Sequence, residues 1–279
     1  MAIKDIMKRL VPDPIWHSVS KCYWWWYNRG RHQGAGLFSA RLRRSRIAIR
    51  SYHDRHRGQR CFILGNGPSL RQTNLRLLEN EVTFGLNRIY LLFPELGFQT
   101  TYLVSVNDLV IEQCAEEFLA FNMLKFFTWR GRKCMRKDPN VLFLDTDYTQ
   151  PETFAYDMAG RVYEGCTVTY VALQLAFYMG FDPVILIGVD HHFTTTGPPN
   201  LAVTSQGEDP NHFHPAYFGK GFVWQLPDLE CSERAYRMAR QEFEGDGREV
   251  VDATIGGKLT VFRKVDYASL FTDEDLSLT

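Results

Sequence analysis

From residue 60 onward, seven short runs rich in β-branched and aromatic residues alternate with longer stretches of helical spacing. This alternation constrains the fold more than any other feature. The runs are Arg60–Leu64, Val82–Leu86, Thr101–Val106, Lys125–Trp129, Val141–Leu144, Val184–Gly188 and Glu249–Val251. Short apolar strands separated by helices are the mark of parallel βαβ units. Val168–Met179, interrupted by Gln174, is apolar enough to require a helix buried against the sheet. Gly180 supplies its left-handed cap, and Pro183 prevents continuation before the next strand. Glu230–Phe243 has helical spacing and leads into the last strand. The expected class is therefore α/β, a Rossmann-like parallel sheet flanked by helices, with a long lid and a basic helical N-terminal arm.

Residues 191–228 hold His, Pro, Thr, Gly and aromatics without either structural period, directly after a strand, and read as the lid. The organisation expected is an arm over 1–58, one core domain over 59–271 and an acidic, frayed tail over 272–279. A chain of 279 residues with 45% hydrophobic content can bury one sizeable core.

The net charge of zero conceals an asymmetry, because residues 1–60 carry 14 Lys and Arg against 3 Asp and Glu. Within that arm, Tyr23-Trp24-Trp25-Trp26-Tyr27 precedes Arg29, Arg31, Arg41, Arg43, Arg44 and Arg46. Aromatics beside arginines suit an interfacial anchor on an anionic membrane. Equally, the aromatics could pack on the body with the arginines solvated; nucleic acid is the weaker third partner, since no RNA-binding signature accompanies the charge. No apolar run reaches the roughly 18 residues that a membrane-spanning helix requires. Cys22, Cys61, Cys114, Cys134, Cys166 and Cys231 are scattered without a Cys-x-x-Cys pair or a secretory leader, which fits reduced thiols. The expected location is cytoplasmic, with peripheral attachment to the inner membrane face if the arm binds lipid.

The first strand runs straight into Gly65-Asn66-Gly67-Pro68-Ser69-Leu70. Glycines at a sharp strand-to-helix turn let backbone N–H groups approach an anion, and Pro68 suits a first helical turn, so phosphate recognition is the expectation. An ordinary turn is the alternative. Without Gly-Lys-Ser/Thr this is no Walker A loop, and Leu70 stands where the dinucleotide fingerprint needs its third glycine. Asn87 and Asn107 follow the next two strands, so three asparagines sit at successive strand ends, where ligands of open parallel sheets bind. Each offers an amide donor and acceptor to a ribose, a base edge or a phosphate oxygen. Asp108 is open between a helix N-cap and a ribose ligand.

Gly-Asn-Gly-Pro-Ser-Leu, then Phe84-x-x-Asn87, then a third strand ending in Asn107 resembles the bacterial sialyltransferases of glycosyltransferase family 42. Gly165-Cys166-Thr167 through Ala172, Ala176 and Gly180 to Ile185-Leu186-Ile187-Gly188-Val189-Asp190 resembles the same family's helix, strand and Gly-x-Asp turn. Over residues 60–271 the chain is more similar to the related 6-hydroxymethylpterin diphosphokinase MptE-like group, which includes the domain of motility-associated flagellin glycosyltransferases. Asn211-His212-Phe213-x-Pro215-x-Tyr217-Phe218 and Asp252-Ala253-Thr254-x-Gly256-Gly257-Lys258-Leu259 carry that likeness.

His191, His192, His212 and His214 fall in the lid, half of the protein's 8 histidines. A neutral imidazole can take a proton from a sugar hydroxyl. The resemblance implies that a lid histidine is this base, with His212 and His214 both candidates. The sialyltransferases place tyrosines after the Asp equivalent to Asp190 to bind the donor phosphate; this chain has His192 and Pro198, so His192 or Tyr217 would substitute. Gly188, Thr167 and Arg161 complete the candidate ligand contacts. A metal held by these histidines with Asp190, or simple hydrogen bonding within the loop, are the alternatives. Asp145-Thr146-Asp147 matches the Asp-x-Asp pattern that holds a divalent cation in many glycosyltransferases, or is structural.

The resemblance implies a sugar-nucleotide-dependent, inverting glycosyltransferase, with a CMP-sugar favoured as donor, a glycan, lipid-linked or protein acceptor, and no cofactor. The alternatives are Mg²⁺-dependent pyrophosphoryl transfer from ATP to a hydroxymethyl pterin, or a non-catalytic nucleotide- or glycan-binding module.

Overall fold

The computed structural model describes residues 39–136 and 138–272. The Tyr23–Tyr27 run, Arg29, Arg31, Cys22 and all of the acidic tail except Thr272 lie outside the described residues. The chain divides into two compact units, Met1–Arg44 and Ser45–Thr279. Within the first, the described residues form the opening turn of a helix, with Arg43 N donating to Ser39 O. The second unit carries the sheet, and the segment 45–58, assigned by charge to the arm, belongs to it.

Among the described residues, three long helices, α1 (Ala40–Arg50), α2 (Val168–Tyr178) and α3 (Leu229–Gly245), accompany one nine-stranded sheet. Its strands are β1 (Cys61–Leu64), β2 (Thr83–Leu86), β3 (Tyr102–Ser105), β4 (Leu124–Thr128), β5 (Val141–Asp147), β6 (Arg161–Tyr163), β7 (Val184–Ile187), β10 (Val250–Asp252) and β11 (Arg263–Lys264); β8 (Ala202–Thr204) and β9 (Val223–Gln225) form a separate antiparallel hairpin. The sheet order is β11-β10-β7-β1-β2-β3-β4-β5-β6, and each neighbouring pair is parallel. The Rossmann-like α/β expectation holds. Every residue of β1, β2, β3 and β7 is buried, which is why these strands read as continuous apolar runs.

The chain steps outward from β1 to β6 and then returns through α2 to place β7 on the other side of β1, with Phe62 opposite both Thr83 and Ile185. The order therefore reverses between β1 and β7. Helix α2 is buried almost all round, as its apolarity requires, and α3 lays Cys231, Ala235, Ala239 and Phe243 against it at helical spacing. The Phe177 and Phe243 rings meet edge to face at 5.1 Å. A fully buried aromatic such as Phe243 contributes about 1.5–3 kcal/mol of transfer free energy.

Three N–H groups from segment 54–58 cap the end of α2, Asp54 to Tyr178 O, His56 to Met179 O and Gly58 to Gly180 O. They satisfy carbonyls that a helix C-terminus otherwise leaves open. The His56 ring stacks on Phe181 at 4.5 Å, which fixes the same segment sideways.

Among the described residues, no helix is long and apolar enough to cross a membrane. Cys166 and Cys231 are joined in a disulfide across 65 residues. This corrects the expectation of reduced thiols: a separation that hides the pair in the sequence is closed by packing the start of α3 against the start of α2. Cys61 and Cys114 are buried free thiols, and burial pushes both thiol pKa values up.

Closing a 65-residue loop restricts the unfolded chain by about 4 kcal/mol on an entropic account. Dithiothreitol should therefore lower the Tm by roughly 10 °C, and Cys166→Ser should reproduce the lower value without further response to reductant. A Tm indifferent to reductant would refute the bond's contribution.

Candidate functional site

Open parallel sheets bind ligands beyond the carboxyl ends of their strands where strand order reverses. A cavity opens at this point. Its walls are the turn after β1 (Gly65, Asn66, Gly67), the loop after β7 (Gly188 to Phe193), the start of α2 (Cys166 to Thr169), Asn211 and His212 of the lid, and Pro227, Leu229, Ser232 and Tyr236 around the start of α3.

The glycine turn reads differently in three dimensions. Gly65 N donates to Ile187 O at 2.8 Å and Gly67 N to Gly188 O at 2.9 Å. A Cβ on residue 65 would lie 2.2 Å from Gly188 O, and one on residue 67 only 1.8 Å from Asp190 Oδ2. Ser69 donates through N to Asp190 Oδ1 at 3.1 Å and through Oγ to Oδ2 at 2.6 Å. Pro68 begins a short 3-10 turn, Pro68–Gln72, and has no N–H. The glycines are thus required by the close approach of the β1 and β7 turns, and the N–H groups of Gly65, Gly67 and Ser69, expected to cradle phosphate, are consumed internally. Burial pushes the Asp190 carboxyl pKa up, against the opposing pull of the Ser69 hydrogen bonds. Asp190 fastens the site, with its oxygens on Ser69.

Asn66 is the exception in that turn. Its side-chain Oδ1 is buried without a hydrogen-bond partner among the described residues, and its backbone O accepts from Phe213 N of the lid at 2.9 Å. A buried acceptor left open costs about 1–3 kcal/mol unless a ligand donor fills it. A ribose hydroxyl or a base amino group meets that need.

Asn87 and Asn107 stand at the neighbouring strand ends but do not line the cavity. Asn87 Oδ1 accepts from Ser105 Oγ at 2.9 Å, and Asn107 Oδ1 caps the helix Asp108–Gln113 by accepting from Leu109 N and Val110 N. Asp108 binds Arg130 Nε through both oxygens at 2.9 Å, so it is neither that cap nor placed as a ribose ligand. Burial alone would lower the Arg130 pKa, but the Glu164 and Asp108 carboxylates outweigh it and the group is held charged. Asp145 pairs with Arg46 and Arg161, and Asp147 with Arg161, so the Asp-x-Asp carboxylates and Arg161 are tied together outside the cavity.

Thr167 does line the cavity. It is the N-cap of α2, its Oγ1 accepting from Thr169 N at 3.3 Å. His192 is exposed at the rim.

The lid separates the two candidate bases. His212 is buried, lines the cavity, and bonds through Nδ1 to Asp209 Oδ2 at 2.7 Å. Its ring stacks on Tyr217 at 4.0 Å and 7°. Asp209 is itself held by Asn211 N and Phe218 N. With Nδ1–H donated to this carboxylate, Nε2 carries the lone pair. His214 lies outside the cavity wall, its Nδ1 accepting from Ala216 N in a local turn. Tyr217 is a correction: fully buried, it supports His212 from behind, its hydroxyl 3.5 Å from Arg88 N and its backbone O bonded to the Arg88 guanidinium. Burial pushes its phenol pKa up.

Sequence reasoning missed Asp209, visible as Asp-x-x-His at one-turn spacing. It also missed Asn211 as a lining residue, and the partner of His191, Glu233 on α3, whose Oε1 lies 3.1 Å from His191 Nε2.

Fold and site together define a Rossmann-like α/β protein with an imidazole-bearing cavity at its topological switch point. The chain belongs to the 6-hydroxymethylpterin diphosphokinase MptE-like family, whose profile matches residues 42–196. No curated protein sequence matches it. Its fold is similar to that of the MAf glycosyltransferase from Magnetospirillum magneticum AMB-1, with a TM-score of 0.50 and 15% identity, over 86% of this chain and 42% of that one. The chain therefore spans less than half the length of that protein. A mammalian sialyltransferase, solved in complex with Gal-beta-1-3GalNAc-ortho-nitrophenol, aligns with a TM-score of 0.37 and 11% identity over 86% of each chain.

Asn66→Ala removes an open buried acceptor, so the ligand-free variant should have a Tm equal to or above that of the wild type. Ser69→Ala, which removes the Oγ donor to Asp190 Oδ2 and keeps the backbone N–H on Oδ1, should lose about 1–2 kcal/mol. Equal destabilisation of the two in thermal melts would contradict a ligand-directed Asn66.

Proposed function

We propose that this chain is a sugar-nucleotide-dependent, inverting glycosyltransferase that uses His212 as its general base. The observation that carries the reading is the Asp209–His212 pair on the wall of the same cavity as the open Asn66 amide. The amide accepts from the nucleoside portion of the donor and orients it. Asp209 holds the imidazole in one tautomer, leaving Nε2 to take the acceptor hydroxyl proton while its oxygen attacks the anomeric carbon. A CMP-sugar is the favoured donor, on the resemblance of the Gly-Asn-Gly-Pro-Ser turn to family 42. The acceptor is a glycan, lipid-linked sugar or protein, and the basic arm would serve an acceptor assembled at an anionic cytoplasmic membrane face.

The family description supports a second reading, pyrophosphoryl transfer from ATP. That chemistry calls for carboxylates free to hold Mg²⁺ beside the phosphates. Asp145 and Asp147 instead face Arg46 and Arg161, and Asp190 faces Ser69, so glycosyl transfer is favoured.

Calorimetry against CMP-, UDP- and GDP-sugars and ATP, with and without EDTA, separates the two. Metal-independent binding of a sugar nucleotide is expected, and ATP binding abolished by EDTA would transfer the assignment to the diphosphokinase. With the donor in hand, His212→Asn should reduce donor hydrolysis by roughly 10²–10⁴ while leaving affinity nearly unchanged. Wild-type hydrolysis by that variant would remove His212 from the chemistry.

A further inference from the structure

The cavity contains an anion problem. Its lining carries no Lys or Arg among the described residues, so positive charge for a phosphate must come from imidazole or from the start of α2. His212 is committed through Nδ1 to Asp209, with Nε2 as the basic nitrogen. His192 is exposed at the rim. His191 is different: its side chain is 8% exposed, and its Nε2 bonds Glu233 Oε1 at 3.1 Å. The two inner imidazoles are thus tied at opposite nitrogens, leaving Nε2 of His212 and Nδ1 of His191 without a hydrogen bond among the described residues.

The backbone of His191 adds a second observation. Its φ of +53° lies in the left-handed region, which costs a non-glycine residue about 1–2 kcal/mol. Glycine would relieve that cost at once. The residue instead keeps a ring that packs 6.2 Å from Tyr236 and reaches Glu233 on α3. Glu233 is itself braced by Arg237 at 2.6 Å on its other oxygen. With the Glu233 carboxylate accepting at Nε2, Nδ1 is the ring nitrogen left to meet a phosphate oxygen, as Nδ1–H in the doubly protonated ring. Thr167–Thr169, the N-cap and first two residues of the 11-residue helix α2, line the same cavity and add the positive end of its dipole.

We infer that His191, held by Glu233, is a phosphate-recognition subsite of this cavity. Its part in catalysis rests on the glycosyl-transfer reading; its binding of phosphate does not. In transfer, the bond from the anomeric carbon to the phosphate oxygen breaks and the electron pair leaves on that oxygen. His191 Nδ1–H gives it a proton, the acceptor oxygen forms the new bond to carbon, and the acceptor's own proton goes to His212 Nε2. Glu233 is a positioning residue.

The test is a long-range ¹H–¹⁵N spectrum of the full chain labelled at histidine, titrated with inorganic phosphate and, separately, with CMP. The expected result is a saturable shift of the His191 imidazole with both probes. In His191→Gln the phosphate affinity should fall about tenfold or more, with a smaller loss in Glu233→Gln. If CMP has no effect but phosphate still moves His191, the nucleotide reading fails and the subsite stands. If neither probe moves the His191 resonances of the wild-type protein, the subsite is overturned.

Discussion

The carboxylate of Asp190 on Ser69 is the fastening on which the site depends. It joins the turn leaving β1 to the turn leaving β7 at the point where strand order reverses, and the backbone bonds from Gly65 and Gly67 to the β7 side close the same seam. Two parallel strands about 4.8 Å apart cannot bring their following turns this close if either carries a side chain in the gap. Gly65 and Gly67 are therefore dictated by the seam itself. Because the seam uses up the neighbouring donors, the one side-chain oxygen of that turn left without a partner among the described residues is Asn66 Oδ1, and the rest of the cavity's polar lining comes from the lid, α2 and α3.

Much of this was legible in the sequence. All seven apolar runs are strands, since a strand buried on both faces leaves no ambiguity when glycine or a helix follows it. Helix α2 was equally plain from its apolarity. β6 and β11 were not, being three and two residues long at or near the sheet edge with charged residues within them. The hairpin of β8 and β9 inside the lid is too short to establish a period, and Trp224 is its only buried residue. The disulfide was invisible because its partners meet only through the packing of α3 on α2.

The site was legible in position more than in chemistry. Asparagines at three strand ends correctly indicated the carboxyl edge of the sheet, yet two of them serve the protein: Asn87 bonds Ser105, and Asn107 caps a helix. Residue type alone does not distinguish an amide spent on a cap from one held open in a cavity; only the partner does. The same applies to the lid. His212 and His214 are two residues apart, and what separates them is the Asp209 carboxylate and the Tyr217 ring beneath His212. The result is a buried lid imidazole lining the same cavity as the Asn66 amide.

On the proposed function, a nucleotide binds in the switch-point cavity. A crystal structure of the protein with CMP tests it most directly. The account predicts the nucleotide in this cavity, with a ribose hydroxyl or base amino group within hydrogen-bond distance of Asn66 Oδ1 and the phosphate beside the start of α2. CMP bound on another surface, with Asn66 Oδ1 still without a partner, would contradict it.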